Sequence, residues 1–279
     1  MIRCLVAWVS IACAGAACQK PRSNEAAGSG AELRIVTLSP SATEIVAALG
    51  AADRIVGVDD YSNWPDAVTK LPKVGSFIAP NLETIVRLKP TLVIVDDIHA
   101  KSAAALRDAG VTAVECAMHA LPDVKAALKT IGARIGKTPE ADAAIATIDK
   151  ALDDAAAKRP AKHPRVLVVI DREKGGLGNI VAAGPGSWAD ELVAVVGGDN
   201  VLAAAGTRYP KISLEEVLRT KPEVILDLSF SARESIAEWD RADVPAITDH
   251  RVKAISADPL QHPSPRIGEA LDVLAAALK

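Results

Sequence analysis

Two stretches of this chain repeat one helix-turn-strand phrase. "NLETIVRLKPTLVIV" begins at Asn81 and "SLEEVLRTKPEVILD" at Ser213, 132 positions apart (213 − 81), with Leu, Glu, Arg, Lys and Pro at matching places. Asn81 and Ser213 suit the N-cap of a helix, and Ser213 with Glu216 has the spacing of a capping box. Leu82, Ile85 and Val86 in the first copy, and Leu214, Val217 and Leu218 in the second, form an apolar stripe at helical spacing. Pro90 and Pro222 exclude the preceding residue from right-handed helical geometry, so each helix ends there. The apolar runs that follow predict strands buried on both faces. Glu83 and Glu215 fall in the first turns, where the helix dipole favours a carboxylate by a few tenths to about 1 kcal/mol. That explains each glutamate singly. It does not require a matched pair, one per half of the molecule.

The rest of the chain extends the pattern. From Arg34, "RIVTLS", "RIVGVD" and "VTAVEC" predict strands that alternate with the helices "SATEIVAALG" and "KSAAALRDAG", giving an N-terminal α/β lobe over 34–121. Residues 122–160 are alanine-rich and helical in pattern without a strand signal, and are expected to be a connecting helix that Gly136 to Pro139 could interrupt. "RVLVVID", "NIVAAG" and "VKAISAD" with the helices "SWADELVAVVGG", "SARESIAEW" and "SPRIGEALDVLAAAL" then predict a C-terminal α/β lobe over 161–279. The expected fold is α/β: two lobes with mainly parallel sheets, joined by a single long helix. Such an arrangement leaves a ligand cleft at the carboxyl ends of the strands.

The N-terminus has its own grammar. "MIRCLVAWVSIACAGAAC" carries Arg3, then an apolar run too short to span a bilayer, then small residues, which predicts a signal peptide over 1–18 and an exported protein. "GAAC" resembles a bacterial lipobox with Gly15 in place of the usual leucine, which makes Cys18 the lipidated residue and the attachment to a membrane; simple cleavage after Ala17 is the alternative. Polar, aperiodic residues 19–33 then predict a flexible tether. Removal of Cys4 and Cys13 with the signal leaves only Cys18 and Cys116 of four cysteines, so no internal disulfide is expected. A net charge of −3 with no run of basic residues argues against a nucleic-acid partner.

Aromatic residues make up only 3% of the chain, so their placement is informative. Tyr61, Trp64, Phe77, Trp188 and Tyr209 fall in loops or helix starts after predicted strands, and alanine, valine and leucine are left to build the interior. Aromatics on loops of both lobes suit the apolar faces of a large flat ligand. Asp258 and His262, where the strand "VKAISAD" ends, could add polar contacts. Enzyme signatures are poor: "GPGSW" around Ser187 lacks nucleophile-elbow spacing, and the histidines show no paired ligand spacing. Two other readings remain open, an exported α/β enzyme using Ser187 or Asp258, and a divalent-metal receptor using His262, Asp258 and a further carboxylate.

"RIVTLSPSATEIVAALG", "IVGVDDYSNWPDAVTKLPKVGSF", "PNLETIVRLKPTLVI", "YPKISLEEVLRTKP" and "SPRIGEAL" together resemble the substrate-binding proteins of bacterial ABC importers for cobalamin, ferric siderophores and haem, with the greatest likeness to the cobalamin receptors. The resemblance runs in order across Arg34 to Lys279. It implies a monomer with no cofactor and no catalytic activity, which captures cobalamin or a related corrinoid and delivers it to an ABC permease dimer with its ATPase subunits. A ferric siderophore or haem is the alternative ligand. The resemblance also implies little hinge motion, and makes Glu83 and Glu215 the permease-docking pair, since matched charges on both lobes suit a symmetric dimer. By motif position Tyr61, Phe77, Tyr209 and Asp258 become ligand contacts. Phe77 and Tyr209 stand where the cobalamin receptors have tryptophans, His262 where they have an arginine, and Asp96 where they have another tryptophan.

Overall fold

The computed structural model describes residues 32–279 apart from 257. The signal peptide, Cys18 and all but the last two residues of the tether lie outside the described residues. Among the described residues no helix is long and apolar enough to cross a membrane.

The first sheet has four parallel strands in the order β2-β1-β3-β4: β1 (Ile35–Thr37), β2 (Ile55–Val58), β3 (Leu92–Asp96) and β4 (Ala113–Cys116). Helices α1 (Pro40–Ala48), α2 (Leu82–Arg87) and α3 (Ala100–Asp108) connect them. The second sheet is built on β5 (Arg165–Asp171), which pairs in parallel with β9 (Val224–Asp227) and β7 (Asp199–Asn200) and antiparallel with β6 (Ile180–Ala182). The short strands β8 (Lys211–Ile212) and β10 (Val252–Ala254) close its edges. Intervening helices are α6 (Trp188–Val195), α7 (Leu214–Thr220) and α8 (Pro245–Thr248), followed after β10 by α9 (Asp258–Gln261) and α10 (Ile267–Ala277). The short pairings of β7 and β8, two residues each, carry no periodic signal that sequence inspection could find.

The repeated phrase is also a structural repeat. Asn81 accepts a hydrogen bond from Thr84 N (3.0 Å) and Ser213 from Glu216 N (3.4 Å), so both predicted caps form. The capping box at Ser213 is only half made, because the Glu216 carboxylate turns to Arg219 instead. Lys89 and Lys221, ahead of the two prolines, have φ of 49° and 46°, so the same left-handed exit ends both helices. Strand side chains keep step as well. Leu92 and Ile94 in β3, like Val224 and Leu226 in β9, face one large apolar cluster that runs through both lobes. The alternate residues Val93 and Ile225 face separate clusters, each confined to its own lobe.

The shared cluster lies where the lobes are joined. Residues 122–160 are not one helix but two: α4 (Leu121–Ile135) and α5 (Thr138–Ala156). Gly136 ends α4 at φ 73°, and Pro139 starts α5 in its first turn. The pair runs antiparallel, with Gly132 against Ala141 at one end and Lys125 bonded to Asp149 further along. The 19-residue α5 is therefore the long connecting helix, and α4 folds back upon it. Its Ala141, Ala144, Ile145, Ile148, Ala151, Leu152 and Ala155 form a helical stripe against the shared cluster.

One expectation fails in the C-terminal lobe. "SARESIAEW" is not an α-helix but two 3-10 turns, Phe230–Arg233 and Ala237–Arg241. The Arg172 guanidinium captures the Ser235 carbonyl at 2.7 Å, the acceptor that an α-helix would offer to Trp239 N–H, which bonds Ile236 instead. Asp227 completes this fully buried anchor by accepting from Arg172 Nε at 2.6 Å and Trp239 Nε1 at 2.8 Å.

Candidate functional site: a cleft between two lobes

A cavity of about 700 Å³ opens between the lobes. From the N-terminal lobe it is lined by the starts of α1 and the 3-10 turn after β3, with Tyr61, Phe77, Asp96 and His119 among the side chains. The C-terminal lobe contributes Tyr209, Phe230, Arg233, Asp258 and His262. Five of the seven residues expected at the ligand therefore come together: Tyr61, Phe77, Tyr209, Asp258 and His262.

Two of these aromatics, Tyr61 and Phe77, are held by polar neighbours. Buried Asp59 accepts from Tyr61 N at 2.9 Å and from the Ser62 hydroxyl, and Ser62 bonds Thr43 at 2.7 Å. Burial pushes the Asp59 carboxyl up, against hydrogen bonds from Ser62 and Tyr61 and the charge of Lys73. Tyr61 itself stays 65% exposed. Phe77 meets the edge of His99, with ring centroids 4.9 Å apart, and His99 Nε2 donates to the Phe77 carbonyl.

Two expected contacts are corrected. Trp188 is 2% exposed within the shared apolar cluster, and its indole donates to the Pro259 carbonyl at 3.2 Å; as the first residue of α6 it is turned inward by the helix. Trp64 does not line the cavity, because Arg266 lies over its ring at 4.7 Å and holds it to one side. Phe230 and Arg233, which had not been singled out, do line it. Phe230 is 70% exposed with Arg233 above its ring at 5.7 Å. Its position just past β9 followed the same rule as Tyr61 past β2, but a predicted helix beginning at Ser231 masked that signal.

His262 is committed to an inter-lobe ion-pair cluster. Its Nε2 lies 3.1 Å from Oε1 of Glu44, on α1 of the other lobe. Glu44 is 1% exposed and also takes Arg266 Nη2 at 2.7 Å, Arg266 Nε at 3.0 Å and the Ser264 hydroxyl. Burial pushes the Glu44 carboxyl up, but hydrogen bonds from His262, Arg266 and Ser264 outweigh it and bring it down to about 2. The metal reading through His262 and Asp258 has no support in this geometry. The one set of three potential ligands found among the described residues is Asp96, Asp97 and His119, whose donor atoms all lie within 4.8 Å of one another. Ser187 is fully buried; its hydroxyl donates to the Gly184 carbonyl at 2.8 Å and caps α6, so it is no exposed nucleophile.

Glu83 and Glu215 are both solvent-exposed, on matching turns of α2 and α7. Among the described residues neither forms an ion pair, whereas the neighbouring Glu216 pairs with Arg219.

Two α/β lobes, one with a parallel and one with a mixed sheet, bridged by one long helix and with an aromatic cleft between them, define a receptor for a small molecule. The chain belongs to the periplasmic binding protein family, which matches residues 35–254. It is 28% identical over 254 residues to the vitamin B12-binding protein of Vibrio cholerae, covering 88% of this chain and 89% of that one. The crystal structure of periplasmic vitamin B12 binding protein BtuF of Vibrio cholerae superimposes with a TM-score of 0.72 at 28% identity, covering 88% of this chain and 96% of that chain. The periplasmic heme-binding protein RhuT of Roseiflexus sp. RS-1, in apo form, does so with a TM-score of 0.78 at 29% identity, covering 89% and 98%.

Proposed function

We propose that this protein is the extracytoplasmic receptor of an ABC importer, capturing cobalamin or a related corrinoid in the cleft and presenting it to a permease with its ATPase subunits. The observation that carries the reading is the cavity itself: Tyr61, Phe77, Tyr209 and Phe230 supply aromatic surface from both lobes around one space of about 700 Å³. The likeness to vitamin B12-binding proteins over most of the chain supports the same ligand class. Exposed and without an ion pair among the described residues, Glu83 and Glu215 are the docking contacts for the two permease subunits. Lipidation of Cys18 holds the receptor, a monomer without cofactor or catalytic role, at the membrane.

Haem is the second reading, favoured by the likeness to a heme-binding protein and by the Arg233 guanidinium, which could meet a carboxylate. Calorimetric titration of the mature protein with cyanocobalamin, dicyanocobinamide, haemin and a ferric hydroxamate separates them. Stoichiometric corrinoid binding, weakened by Phe77→Ala and Tyr209→Ala, is expected. A response to haemin or the hydroxamate with none to the corrinoids would overturn the corrinoid reading and keep the receptor.

A further inference from the structure

One wall of the cleft has more hydrogen-bond acceptors than the protein has donors to fill them. Asp96 lines the cavity although its side chain is only 2% exposed. Its Oδ1 accepts from Ile98 N at 3.2 Å and lies 3.4 Å from His119 Nε2, while its Oδ2 has no protein donor among the described residues. Asp97 takes the same imidazole nitrogen at 2.7 Å. A single N–H thus serves two carboxylates, and no lysine or arginine among the described residues pairs with either. Asp258 adds a third acid from the opposite lobe. The one arginine lining the cavity, Arg233, stands over Phe230 in the C-terminal lobe.

We propose that Asp96 and Asp97 make this wall a filter for the rim of the ligand, accepting a macrocycle fringed with carboxamides and rejecting one fringed with carboxylates. The inference rests on the corrinoid reading and extends it from the ring to its side chains. A carboxamide N–H reaching the wall would donate to the open oxygen of Asp96 in a charge-assisted bond. A carboxylate there would meet like charge, with no lysine or arginine on that wall to separate the two. Burial and a side-chain hydrogen bond shared with Asp97 push the Asp96 carboxyl up to about 6, while His119 holds the Asp97 carboxyl down, so the pair is negatively charged at neutral pH.

The test compares two corrins that share ring and metal and differ chiefly at the rim: dicyanocobinamide, bearing carboxamides, and cobyrinic acid, bearing carboxylates. Both are titrated into the mature wild-type protein and into Asp97→Asn and Asp96→Asn/Asp97→Asn variants. Wild type is expected to favour the amide corrin by at least about tenfold, and the double variant by about threefold or less, mainly through tighter binding of cobyrinic acid. Asp97 is half-exposed, so its single variant keeps the fold and is expected to fall between the two. An unchanged ratio in both variants, or a wild-type ratio near one, overturns the filter and leaves the receptor reading standing. Failure to bind either corrin removes that reading and the filter with it.

Discussion

Glu44→Gln tests whether the inter-lobe cluster holds the cleft together. Lowering a buried carboxyl from its ordinary 4.5 to about 2 means that the folded state prefers the charged form by roughly 3 kcal/mol more than the unfolded chain does. Glu44 is 1% exposed, so solvent screening takes little of this away. Because the folded value is the depressed one, the contribution is present above about pH 4.5 and disappears as pH falls towards 2. Glutamine keeps the shape but not the charge, and leaves the mostly buried Arg266 guanidinium with only the exposed Glu269 at 3.4 Å as an acidic partner. Urea unfolding followed by tryptophan fluorescence should show Glu44→Gln less stable than wild type by about 3 kcal/mol near neutral pH, or roughly 6–12 °C in Tm. The difference should shrink steadily below about pH 4.5 and be nearly gone at about pH 2. All other carboxyls titrate in both proteins, so the subtraction isolates this one. A difference below about 1 kcal/mol at neutral pH, or one that stays constant as the pH falls, would refute the reasoning.

Reversing both exposed acids, Glu83→Lys with Glu215→Lys, should abolish ligand uptake by whole cells while leaving ligand affinity unchanged; lost affinity would move these residues from the permease to the ligand. Lys89→Gly and Lys221→Gly should each raise stability by about 0.5–1 kcal/mol, since a lysine at positive φ carries a steric cost that glycine does not. Neither lysine side chain forms a hydrogen bond or ion pair among the described residues, so a drop in Tm for either variant would count against that account.

The sequence by itself determined the local grammar. The caps at Asn81 and Ser213, the exits before Pro90 and Pro222, and the alternation along β3 and β9 follow from preferences acting over a few residues, and both copies obey them. It also determined that loops after strands carry Tyr61, Phe77 and Tyr209, because an interior built of alanine, valine and leucine leaves little place for them. Tertiary structure decided what depends on distant partners. The position of Trp188 in the chain points to the cleft, yet the carbonyl of Pro259, 71 residues on, holds it in the core. "SARESIAEW" has a helical pattern, but a guanidinium 63 residues earlier takes the carbonyl that a helix needs. His262 met Glu44 only because folding brought together residues 218 apart, and the pairing of His119 with Asp96 and Asp97 likewise joins the loops after two neighbouring strands. A buried charge or polar group must find its partner wherever the fold supplies one. The chemistry of the cleft was therefore fixed by which strand ends became neighbours.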